Sequence, residues 1–159
     1  MSNTSIDSVP DWSGGKKVFA GDQFLGVYQP SPETVGFWEG VKRREFLLKW
    51  CDSCARAFHP RRMICPQCST TKLVWKRASG KGKVYSFSEV HRAPSPEFAG
   101  GVPYHVGLIE TAEGVHFFCR ICAENDARVV IDAPAQLDFR VLENGYLLPV
   151  FVVAAEHGK

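Results

Sequence analysis

The amino-acid sequence predicts a mainly β protein made of an N-terminal helical segment, a small four-cysteine ribbon and a five-stranded closed barrel. Three observations predict it. Two Cys-x2-Cys pairs, Cys51/Cys54 and Cys65/Cys68, stand ten residues apart between short apolar runs. From Lys83 onward apolar and polar residues alternate with period two, the pattern of half-buried strands. Turn residues at Ala112-Glu113-Gly114 and Asn144-Gly145 cut that alternation into strand lengths.

In chain order, residues 1–30 lack sustained periodicity and form an extended arm, with an apolar docking segment at 24–28. A helical segment occupies 31–45. Ser31 suits a helix cap, Pro32 the first turn, and Glu33 the positive helix end. Val35, Trp38 and Val41 recur on one face, and Lys42, Arg43 and Arg44 fall in the last turn. Gly36 and Gly40 weaken this helix, so it depends on packing against another surface, either the chain's own core or a partner. The ribbon occupies 46–77. Residues 46–50 enter the first cysteine pair as a strand, 55–64 make a hairpin with Phe58 and Pro60 over the metal, and 73–76 return. The barrel domain occupies 78–155, with strands at 83–90, 104–111, 115–121, 129–131, 137–142 and 146–153. Five or so strands with one long Pro- and Gly-rich loop, 92–103, which presents Phe98, suggest a barrel of the OB type.

The cysteine pairs are the strongest chemical signal. Each pair belongs on a tight turn, and two such turns bring four thiolates into a tetrahedron, the geometry Zn²⁺ takes in closed structural sites. Cys51, Cys54, Cys65 and Cys68 are thus read as the ligands of a rubredoxin-like zinc ribbon. Two disulfides or an iron site are the alternatives. The polar N-terminus offers no export signal, which argues for a reducing cytoplasm and against disulfides. Four thiolates leave the metal no open position, so the site holds the fold and runs no reaction. Cys119 and Cys122 have the same spacing but lie in a period-two run, where 119 and 121 share one face and 122 takes the other.

Composition sets the frame. A chain of 159 residues, 45% apolar and 23% charged, folds as one ordinary domain or two very small ones. No run has the length of a transmembrane helix. The longest apolar stretch, 147–155, fits a buried strand interrupted by Pro149. The net charge of +2 hides an asymmetry: residues 42–83 hold twelve basic and two acidic groups, a local charge of +10, and the rest carries −8. That positive end attracts an anionic partner or cofactor. No glycine-rich phosphate loop, nucleophile elbow or His-Glu-x-x-His pattern is present, and His91, His105 and His116 occur singly.

The stretches CDSCARAFHPRRMICPQC, Trp75, SGKGKVYSFSEV and GYLLPVF, in that order, resemble the zinc-ribbon/OB-fold acyl-CoA-associated proteins. Two departures are visible: the family's usual glycine after the first metal pair is Ala55, and its Ile-Gly before the penultimate strand reads Ile131-Asp132. The resemblance implies a non-catalytic accessory subunit of a thiolase-like enzyme or acyl-CoA lyase, with coenzyme A thioester as a ligand shared with that partner. Arg61 and Arg62 are then candidate contacts for coenzyme A phosphates or the partner. The alternative is a single-stranded nucleic-acid-binding module, with Tyr85, Phe87, Phe117 and Phe118 as stacking aromatics; the acidic barrel half argues against it. An independent acyl-CoA hydrolase lacks any visible catalytic group.

Overall fold

A computed structural model describes residues 31–94, 96, 101–124, 127–141 and 147–154. The arm at 1–30, Phe98 and the Asn144-Gly145 turn lie outside the described residues. The elements run α1 (Val35–Lys42), β1 (Leu47–Cys51), β2 (Arg56–Phe58), β3 (Val74–Arg77), β4 (Lys81–Val90), β5 (Tyr104–Thr111), β6 (His116–Glu124), β7 (Pro134–Val141) and β8 (Leu147–Ala154). The first three strands form an antiparallel sheet with β1 in the middle. The other five close into a barrel in the order β4-β5-β6-β8-β7, the OB arrangement. β4, β5 and β6 make a meander, β8 runs parallel to β6, and β7 pairs back to β4 through Gly82↔Ala135. Among the described residues no helix is long and apolar enough to cross a membrane.

Alternation decides which side chains fill the barrel. On β6, Phe117, Cys119 and Ile121 are buried while His116 and Phe118 face out, and Cys122 falls on the opposite parity to Cys119. On β4 the register slips between Val84 and Ser86, a bulge that turns Tyr85 outward against His116 at a ring separation of 4.2 Å. Just past the bulge Gly107 pairs with Phe87, and an added Cβ there would lie 2.0 Å from the Ser86 carbonyl oxygen. Only glycine allows that approach.

The ribbon and the barrel share one core. Phe46, immediately before β1, is fully buried, and its ring centre lies 6.3 Å from Phe37 of α1, 5.1 Å from Phe117 of β6 and 6.0 Å from Phe151 of β8. The edge-on geometries are those aromatic pairs favour. The Phe46 carbonyl also accepts a bond from the Ala78 amide at 2.8 Å, tying the ribbon's entry to its exit.

Two sequence expectations are corrected. The helix begins at Val35, with Thr34 at the cap position and making no side-chain cap bond. Ser31 instead forms a turn ahead of it: its amide donates to Thr34 Oγ1 (3.0 Å) and its carbonyl accepts from the Thr34 amide (2.8 Å). The buried face is Phe37, Gly40 and Val41, whereas Val35 is 42% exposed. The glycines explain the rotation. A Cβ on Gly36 would lie 2.3 Å from Trp75 Nε1, and one on Gly40 would lie 2.7 Å from Leu47. The two residues that weaken the helix are those on which it rests against the ribbon. On the same wall, buried Lys49 holds its ammonium 5.0 Å from the Trp75 ring centre. Burial lowers its pKa against the opposing pull of Glu33.

The second correction concerns 129–131, which form no strand. Val129 is buried, but Val130 and Ile131 are more than half exposed. Asp132 then turns the chain at φ 62°, and the backbones of Asp132 and Ala133 bond to Val84 before β7 begins. A left-handed residue cannot continue a ladder.

Candidate metal centre

Cys51 ends β1, Cys54 follows in the turn to β2, and Cys65 and Cys68 sit on a second turn before β3. The four sulfurs all lie within 4.8 Å of one another. Cys51 Sγ is 3.6 Å from Cys68 Sγ, and Cys65 Sγ is 3.8 Å from Cys54 Sγ. A ZnS₄ tetrahedron with bonds of about 2.3 Å has edges of about 3.8 Å, so the donor set fits the metal. The convergence of all four sulfurs on one small volume suits a single shared metal ion better than two separate disulfides.

Each Cys-x2-Cys forms a knuckle in which backbone amides point at the first sulfur. Against the opposing effect of burial, the amides of Cys68 and Gln67 hold Cys65 down to about 7. The Cys54 amide does the same for Cys51, where burial prevails and the thiol is raised. Cys54 is pushed up to about 12, foremost by its bond with Cys68 and then by burial. Such a set binds a divalent cation by releasing protons.

The residue after each knuckle is the part that spacing alone does not reveal. Ala55 (φ 49°) and Ser69 (φ 56°) both lie in the left-handed region, where glycine is at home and alanine pays about 1–2 kcal/mol. Asp132, at the other departure from the family pattern, is likewise left-handed. There a short polar side chain is tolerated, and its carboxylate pairs with Lys83 at 3.1 Å. Ala55→Gly is therefore expected to stabilise the protein by about 0.5–1 kcal/mol with full metal content, read from the urea midpoint. A lower midpoint would count against a strained Ala55.

Around the centre, Pro60 is fully buried and Phe58 half-buried. His59 stacks on Phe117 at 5.6 Å, and its Nδ1 accepts the Arg61 amide at 3.2 Å. Burial, with Arg61 and Arg62 nearby, lowers its pKa. The structure places Arg61 and Arg62 exposed on the turn after β2. Of the aromatics considered for stacking, Phe117 is core, while Tyr85 and Phe118 are 51% and 63% exposed.

Two adjoining family models match this architecture. Residues 38–74 match the rubredoxin-like zinc ribbon domain of ChsH2, and residues 75–140 match its C-terminal OB-fold domain. A DUF35 domain-containing scaffold protein of Methanocaldococcus jannaschii is 35% identical over 116 residues, covering 70% of this chain and 81% of that protein. The chain belongs to the DUF35 family. Among solved structures, a chain of the Ltp2-ChsH2(DUF35) aldolase superposes with a TM-score of 0.68 at 28% identity, over 79% of this DUF35 protein and 98% of that chain. A probable enoyl-CoA hydratase alpha subunit of Thermomonospora curvata is 32% identical over 140 residues. That match covers 86% of the DUF35 chain but only 43% of the hydratase subunit.

Proposed function

We propose that this DUF35 protein is a non-catalytic, zinc-held accessory subunit of a CoA-thioester-processing complex. Its partner is a thiolase-like enzyme or acyl-CoA lyase that cleaves a carbon–carbon bond or transfers an acyl group. The observation that carries the reading is the match to the aldolase-complex chain, which extends over nearly all of that chain and includes both ribbon and barrel. The names of the hydratase relatives point to CoA thioesters as well.

In this reading Cys51, Cys54, Cys65 and Cys68 hold Zn²⁺, which supplies a cross-link between two turns of a sheet too small to have a core of its own. The four sulfurs leave no position for substrate. The chain contributes a rigid platform with a basic end, on which Arg61 and Arg62 stand ready for coenzyme A phosphates or an acidic partner surface.

A tagged pull-down from native lysate, read by mass spectrometry, tests this. The expected result is a stoichiometric thiolase-like or lyase-type enzyme whose activity on a CoA thioester depends on both chains. A bare protein, one carrying nucleic acid, or a partner that handles no CoA thioester would overturn it.

A further inference from the structure

We propose that the cleft between Arg44 and Arg77 is a binding site for a phosphoryl group. The cleft measures about 200 Å³ and lies where the turn after α1, the β3–β4 link and β7 meet. Arg44, Arg77, Gly80, Gln136 and Phe139 line it. None of these residues belongs to the metal centre.

The way Arg44 is held is the first observation. Helix α1 ends in a Schellman pattern: the Glu45 amide bonds the Gly40 carbonyl at 2.8 Å and the Arg44 amide bonds the Val41 carbonyl at 2.9 Å. Arg44 thus occupies the position that glycine usually fills, at φ 58°. Strain of this kind clusters at functional sites. Its Nη1 donates to the Phe139 carbonyl at 3.3 Å, which fixes the guanidinium on the cleft wall and leaves its other N–H groups for a ligand.

Charge is the second observation. The neighbours of both arginines are neutralised: Arg43 pairs with Glu45 and Lys76 with Asp52. Among the described residues no carboxylate lies within ion-pair distance of Arg44 or Arg77. Of the nearby acids, Asp138 pairs with Arg140 at 2.8 Å, and Glu113 accepts the amide of Ser79, a residue of the cleft wall, at 2.7 Å. The intervening wall is rigid, since the Gly80 carbonyl accepts from Leu137 N at 2.7 Å and Gln136 Nε2 at 3.1 Å.

Two guanidinium forks from separate segments suit a tetrahedral dianion. A planar carboxylate is satisfied by one fork. The ligand class is a phosphate monoester or diphosphate, either free or on a nucleotide-type tail such as that of coenzyme A. The site is independent of the accessory-subunit reading.

Calorimetric titration of the zinc-loaded full chain with inorganic pyrophosphate, CoA and 3′-dephospho-CoA tests it. Binding that weakens with salt is expected, and Arg44→Gly and Arg77→Gln should each lower affinity about tenfold or more. Arg44→Gly should melt no lower than the parent, because glycine relieves the turn, so lost binding there is not lost folding. Preference for CoA assigns the tail as the source; equal binding of pyrophosphate assigns the free anion; both support the site. Absence of binding at millimolar ligand, or unchanged affinity in both variants, overturns it. If no phosphate compound binds and the variants fail only to retain the partner enzyme, the cleft takes a partner carboxylate. That outcome overturns the phosphoryl site while leaving the accessory-subunit reading intact.

Discussion

Replacing Phe46 with alanine is expected to lower the unfolding free energy by about 3–5 kcal/mol, the range for truncating a buried phenylalanine. The ring has no exposed edge, and its three aromatic neighbours come from α1, β6 and β8. A cavity there cannot be closed by one side chain relaxing, because each wall is fixed in a different element. Urea unfolding with metal bound measures it, and Phe118→Ala is the control. Phe118 carries the same ring but is 63% exposed, so its loss should cost no more than about 0.5 kcal/mol. Similar costs for the two variants would sink the shared-core assignment.

Replacing Cys65 with serine is expected to abolish metal binding and unfold the ribbon. Cys65 is fully buried and receives two knuckle amides, so serine leaves three sulfurs around a position built for four. Elemental analysis should fall from one zinc per chain to well below one. Cys119→Ser, a buried thiol inside the barrel, should keep the metal even if it destabilises the fold. Full zinc in the Cys65 variant would refute the assigned role. Acid should act in the same direction. Cys54, pushed up to about 12, must give up its proton to bind, so zinc affinity falls as pH falls, as a chromogenic chelator titration would show.

What the sequence discloses here follows from how local each signal is. The 104–111 strand coincides with β5 because its alternation and its flanking Pro103 and turn residues are all contiguous. The cysteine set is legible because ligand spacing within each knuckle is fixed by the turn itself. The helix face was misjudged at Val35, because periodicity ranks Val35 above Gly36, whereas contact with Trp75, thirty-nine residues later in the chain, rewards the absence of a side chain. Residues 129–131 have strand composition, but the left-handed Asp132 ends any ladder, and only the backbone shows it. The Arg44–Arg77 cleft was illegible for a third reason: its walls come from three distant segments, and each arginine alone reads as solvated charge.

Strand β8 has a consequence for the protein's handling in the cell. Leu147, Leu148, Val150, Phe151 and Val153 are buried, so this strand is apolar on both of its faces, with Pro149 as its one interruption. One side is covered by the barrel, and α1 packs against the strand as well. A chain deprived of zinc loses the ribbon that seats α1 and Phe46, and β8 then presents a sticky, strand-prone surface to its neighbours. Metal starvation is therefore expected to show as precipitation and proteolytic clearance before any defect in ligand handling becomes measurable.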